Sequence, residues 1–203
     1  MQSIDIQAGK IAAIVTSLEM LARPPLRPES ARLDLELARI RRPELAWYRD
    51  LFRRVGQDWL WFSRLEMSDA TLAAVLAEPS TEIYSVRSDG NDEGLLELDF
   101  GETGTCELVF FGLAPALVGT GAGRWLMNRA IEIVWSRKIA RFWVHTCSCD
   151  HPNALSFYMR SGFRAFRQHV EITDDPRLTG TLPREAAPQI PTIPGLRSAN
   201  RTR

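Results

Sequence analysis

The chain has 203 residues, 45% of them hydrophobic and 25% charged, a balance that can bury one domain's core. Its 25 basic and 25 acidic residues cancel, which argues against nucleic acid or an anionic membrane as a bulk electrostatic partner. Three cysteines, Cys106, Cys147 and Cys149, are odd in number for a disulfide framework and lack the C-x-x-C spacing of a zinc site, so reduced thiols, no metal and a cytoplasmic location are expected.

Residues 10–21 are rich in β-branched side chains and are expected to form a first strand. Thr16, Ser17 and Glu19 interrupt their apolar run, which falls short of the about 18 residues of a membrane span; neither a span nor a signal peptide is expected. Arg23-Pro-Pro-Leu-Arg-Pro28 makes an extended link, and a second strand is expected over residues 33–40. Residues 43–54 place Leu45, Tyr48, Leu51 and Phe52 at helical spacing. Residues 57–64 crowd aromatics together, and Ser68 is set to cap a helix whose apolar side is Leu72, Val75 and Leu76.

Strands are then expected at 83–86, 95–100 and 106–113. The turn sequences Ser88-Asp-Gly-Asn-Asp and Gly101-Glu-Thr-Gly join them into an antiparallel meander. A helix over 121–137 carries Leu126, Ala130, Ile133 and Val134 on one face. A strand at 141–146, a helix at 152–161 with Gly162 at its C-terminal cap, and a strand at 163–172 complete the pattern. Beyond Pro176 periodicity fades, and residues 182–203 read as a tail, mobile beyond Pro194. This order is that of an α/β sandwich on a mixed sheet.

The densest signal is Leu113-Ala-Pro-Ala-Leu-Val-Gly119-Thr-Gly121-Ala-Gly123-Arg-Trp-Leu. A strand runs through three alternate glycines into an amphipathic helix, which exposes backbone amides at the positive end of the helix dipole. Such a turn suits a pyrophosphate. The third glycine comes one residue early for a Rossmann loop, and a Walker A loop would need Gly-Lys-Ser/Thr.

Val118-Gly-Thr-Gly121-Ala-Gly123 resembles the Gln/Arg-x-x-Gly-x-Gly/Ala pyrophosphate loop of the GNAT acyltransferase family, with Val118 where Gln or Arg is usual. Downstream, His151-Pro-Asn-Ala154-Leu-Ser-Phe157-Tyr158-Met-Arg-Ser-Gly162-Phe163 is similar to that family's Asn-x-x-Ala-x-x-Leu-Tyr-x-x-x-Gly-Phe. His151 stands where Asn is usual, with Asn153 two residues later. The resemblance implies a mixed, mostly antiparallel sheet flanked by helices. It implies one acyltransferase domain over residues 1–180, with its coenzyme core at about 82–170 and a proline-rich tail at 181–203. Acetyl-coenzyme A would be the co-substrate, an amine the acceptor, and a homodimer is among the expectations.

The resemblance further implies that Val118, Gly119, Thr120, Gly121, Ala122, Gly123 and Arg124 hold the pyrophosphate. Phe111 and Leu113 would hold the pantetheine arm, with Asn153 and Tyr158 on the far side. Tyr158 would protonate the departing thiolate. Gly112 would mark the bulge that opens the sheet. Glu107, a carboxylate among apolar neighbours, leads as the base that takes the amine's proton, with His145 second. Trp59, Trp61 and Arg64 are candidates for an amphipathic acceptor bearing a carboxylate. Glu97 and Asp99 share a strand face, read as attracting a cation or as solvated. Direct transfer to the amine is the simpler expectation than a covalent cysteine route. A non-catalytic acyl-coenzyme A-binding module is the alternative to an enzyme.

Overall fold

In the computed structural model, which describes residues 3–29 and 34–195, the β-branched run forms strand β1 (Lys10–Met20). Then come β2 (Glu36–Arg39), helix α1 (Leu45–Gly56), the short helix α2 (Ser63–Glu66) and α3 (Asp69–Ala77). The meander is β3 (Thr81–Ser88), β4 (Asn91–Asp99) and β5 (Thr105–Leu113). It is followed by α4 (Ala122–Trp135), β6 (Arg141–Cys147), α5 (Ala154–Arg160), β7 (Arg164–Asp174) and α6 (Pro176–Thr179). Leu33, where the second strand was expected to begin, lies outside the described residues. No helix among the described residues is long and apolar enough to cross a membrane.

The local signals act as their chemistry dictates. Asp89 and Gly90 both take positive φ between β3 and β4, the paired left-handed geometry that suits a tight hairpin. Ser68 caps α3 by accepting from the amide of Thr71 at 3.2 Å. Gly162 takes φ 108° after α5, where a side chain would be strained.

The seven strands make one sheet in the order β2-β3-β4-β5-β6-β1-β7. All pairs are antiparallel except β5 with β6. β1 is wedged between β6 and β7, so the N-terminal strand completes the C-terminal half of the sheet. Strand alternation divides the core. Leu96, Leu98, Leu108, Phe142 and Val144 pack against Leu126, Ala130 and Val134 of α4. Ile83 and Leu95 face Tyr48, Leu51 and Phe52 of α1 and Leu72 of α3 on the other side.

Glu97 corrects the sequence reading of its strand face. It is neither solvated nor open to a ligand: its side chain is 1% exposed, paired with Arg64 and accepting from the Tyr48 hydroxyl. That buried group pins α1 and α2 to β4. Both Glu97 oxygens are paired, which is what makes burying that charge tolerable.

The C-terminal segment also differs from expectation. Up to Ile190 it packs back on the domain, with Leu182, Ala186 and Ala187 buried against Ile11, Leu60 and Cys149. Arg177 staples it. The guanidinium is bidentate to Asp175 and donates to the carbonyls of Ala186, Ala187 and Ile190 at 3.3, 3.2 and 2.8 Å. The expectation of mobility beyond Pro194 falls almost wholly outside the described residues. Arg177→Ala should leave three carbonyls and Asp175 without their cation. Limited proteolysis should then cut within residues 178–195 at least tenfold faster than in the unaltered protein; equal rates would mean that Arg177 is not the staple.

Candidate active site

The parallel ladder between β5 and β6 runs only from Thr105 opposite Arg141 to Leu108 opposite Val144. Across β5, Glu97 of β4 lies opposite Phe110 and Leu98 opposite Leu108, so Val109 has no partner and forms the bulge. Beyond it β5 and β6 part, which frees the edge of β5 from Val109 to Leu113. Gly112, expected to be the bulge, is instead regularly paired with Leu95. Its missing side chain serves close packing: a Cβ there would collide with Val55 and lie 2.9 Å from the Trp61 ring.

The parted strands open a cavity of about 1110 Å³. The glycine loop closes one side. Gly119 and Gly121 take φ 82° and 97°, left-handed backbone that turns the chain into α4. Among the described residues the amides of Gly119, Gly121 and Gly123 have no acceptor, while those between them are used. Thr120 N donates to Leu117 O at 3.4 Å, and Ala122 N donates to the Thr120 hydroxyl at 3.3 Å. Of the residues expected at this loop, Val118, Gly119, Gly121, Gly123 and Arg124 line the cavity. Thr120 shapes the loop, and Ala122 is buried in the core.

Across the opening, Phe111, Leu113, Asn153 and Tyr158 all line the cavity. Tyr158 is 7% exposed, and its ring packs on Phe111 and Phe157 at 6.2 and 5.6 Å. Its hydroxyl has no hydrogen-bond partner among the described residues. Burial, with the nearby Asp150 carboxylate adding to it, pushes the phenol well above the usual tyrosine range. Tyr158 therefore stays protonated and faces the cavity as an unengaged donor. His151, at the family's Asn position, accepts from the amide of Asn153 through Nδ1 at 3.0 Å and packs on Trp59 at 4.9 Å.

The two base candidates occupy adjacent strands and meet. His145 Nδ1 lies 3.6 Å from Glu107 Oε1. His145 lines the cavity and Glu107 does not. Glu107 holds the imidazolium form, and Glu171 and Asp150 reinforce it, so the His145 pKa is raised above its usual value although burial opposes this.

Trp59 and Trp61 line the cavity, whereas Arg64 does not. The Arg64 guanidinium is spent on Glu97 and lies over the Phe110 ring at 5.2 Å, so no cation is left there for a ligand carboxylate. Asp150, which sequence reasoning missed, lines the cavity from the β6–α5 turn. One of its oxygens accepts from the Thr146 hydroxyl at 2.7 Å and the Cys147 amide at 2.9 Å; Trp61 Nε1 points at the other, 3.4 Å away. A lone Asp in a loop carries no motif, and only the fold brings these donors to it.

A family model for the GNAT acetyltransferases matches residues 43–163, more than half of the chain. The chain belongs to the GNAT acetyltransferase family. Solved structures share the fold at low identity. A GNAT-family acetyltransferase from Novosphingobium aromaticivorans has a TM-score of 0.53 at 16% identity, covering 85% of this chain and 69% of that one. A GCN5-related N-acetyltransferase from Sphaerobacter thermophilus scores 0.56 at 11% identity, covering 83% and 53%. A functionally unknown conserved protein from Staphylococcus epidermidis scores 0.54 at 12%, covering 82% and 64%, so this chain spans less than two thirds of that protein's length. No curated protein matches the sequence.

In GNAT terms, the glycine loop, the free β5 edge and the Tyr158 side of the opening converge on one cavity. Three unpaired amides at a helix start fit a pyrophosphate, and an unpaired strand edge fits the amide-bearing arm attached to it. Gly112→Ala should force a methyl against Val55 and Trp61. It should lower stability by about 1–3 kcal/mol in urea denaturation; an unchanged midpoint would show that the wall yields freely.

Proposed function

We propose that this acetyltransferase moves the acetyl group of acetyl-coenzyme A to a primary amine by direct attack in a ternary complex. The observation that carries the reading is the convergence of free loop amides, an unpaired β5 edge and an unengaged Tyr158 hydroxyl on one cavity. Gly119, Gly121 and Gly123 would hold the pyrophosphate, and the β5 edge from Val109 to Leu113 would hold the arm and polarise the thioester carbonyl. When bound, the coenzyme supplies an activated acyl thioester.

Neutral His145 takes the proton of the attacking amine, and Glu107 orients the ring and stabilises the imidazolium that results. This ranking reverses the order expected from sequence, because His145 faces the cavity and Glu107 touches it only through His145. Tyr158 donates to the departing thiolate. The acceptor end carries Trp59, Phe62, Ile11 and Ala13 beside Asp150 and Glu171, with Arg64 neutralised by Glu97. Apolar walls with acidic groups favour a cationic amine on an apolar body over the carboxylate-bearing acceptor first considered.

A thiol-release assay over an amine panel, paired with calorimetric binding of acetyl-coenzyme A, tests the reading. Release with at least one amine is expected; binding without release from any amine would mark a coenzyme-binding module instead. Tyr158→Phe should cut turnover at least a hundredfold while coenzyme affinity and Tm stay nearly constant, because the hydroxyl has no hydrogen-bond partner among the described residues. Equal turnover would remove Tyr158 as the acid.

The pH dependence has a definite sign. His145 accepts a proton only when neutral, and its pKa is raised, so kcat should climb with pH through a value above the usual histidine pKa of about 6.5 and then level. Glu107→Gln removes the main cause of the elevation, so the rising limb should move to lower pH. A limb that stays in place would exclude the His145–Glu107 pair as the base.

A further inference from the structure

The link at residues 23–28 has a course that its sequence did not disclose. Pro24 seats on Gly162, where an added Cβ would lie 2.9 Å from the proline ring. Three residues on, the side chain of Asn128, 2% exposed in α4, grips the backbone of Arg27 from both sides. Arg27 N donates to Asn128 Oδ1 at 3.2 Å, and Asn128 Nδ2 donates to Arg27 O at 2.8 Å. Glu29 then closes on Arg129 at 2.8 Å, which fastens the far end. The link thus runs from the C-terminal end of α5 to the first half of α4.

That course puts Arg27 between two other arginines. Arg160 ends α5, two residues before Gly162, and Arg124 lies one helical turn before Asn128 on the same side of α4. All three line the cavity. None has an ion-pair partner among the described residues, and no residue outside them carries an acidic side chain. Burial and the charges of Arg124 and Arg160 together lower the Arg27 pKa, the mark of a cation held among cations. Such a group is stabilised by an anion placed among them.

The pyrophosphate is already provided for by the glycine amides, and Asn128 lies a full helical turn beyond Arg124. We propose that Arg27, with Arg124 and Arg160, forms a second anion site that recognises a terminal phosphomonoester of the acyl donor, the 3′-phosphate of coenzyme A. This rests on the coenzyme reading above and narrows it: the donor is a free coenzyme A thioester, not one lacking that phosphate. Arg27 lies outside the residues that the family model matches, 43–163, so this chain adds the contact from its own N-terminal link.

The test is calorimetric binding of coenzyme A and of dephospho-coenzyme A to the full chain. The unaltered protein should prefer coenzyme A by at least tenfold. Arg27→Ala should erase most of that preference while leaving dephospho-coenzyme A affinity unchanged, and Arg27→Lys should keep part of it. Asn128 holds Arg27 by its backbone, so the link stays in place in both variants, and an unchanged Tm verifies this. No preference in the unaltered protein, or equal losses for both ligands in Arg27→Ala, would overturn the phosphomonoester site. Failure to bind either ligand would instead overturn the coenzyme reading itself.

Discussion

The hydrogen-bond ladder between β5 and β6 stops after Leu108 and Val144, and every part of the site depends on that interruption. A sheet that stayed paired would have satisfied the β5 edge internally and left no cavity. The extra residue at Val109 turns the strand away, and the glycine loop that follows delivers α4 with its amides facing the gap. On the other strand, the same parting exposes His145, with Glu107 3.6 Å away. The open cavity and the exposure of His145 beside Glu107 are therefore two consequences of one backbone irregularity.

Holding strands apart leaves backbone groups uncovered, so the surrounding packing has to keep the gap from closing. Two buried ionic groups do this from different sides. Arg64, Glu97 and Tyr48 lock α1 and α2 over β4, which seats Trp61 against Gly112. Arg177 and Asp175 hold the C-terminal segment against Ile11 and Leu60, which line the cavity. Both clusters are fully hydrogen-bonded around their carboxylates, and losing one partner would strand a buried charge at a cost of about 3–5 kcal/mol. Ion pairing here fixes the shape of a cavity as much as it adds stability.

Elements marked by local chemistry were legible in the sequence. The Asp89-Gly90 turn, the Ser68 cap and the glycines before α4 each restrict the backbone within a few residues, so their elements lie where the pattern puts them. Features decided across the sheet were not. Whether Gly112 or Val109 is the bulge depends on the two-against-one register with Glu97 and Leu98, which has no signature along β5. Arg64 looked free because its partner is 33 residues away on another element. The C-terminal segment lacks periodicity because Arg177 and a few scattered apolar contacts, rather than a regular apolar face, secure it. Arg27 and Asp150 gave no signal, since each gains its setting only when distant chain segments meet.

The central claim is that the alternate glycine amides and the parted β5 edge receive the donor together. Following backbone amide resonances by NMR while titrating coenzyme A tests it most directly. Gly119, Gly121 and Gly123 should shift in step with residues 109–113 and saturate at one equivalent. Saturable binding that moves resonances elsewhere and leaves those three glycines in place would contradict it.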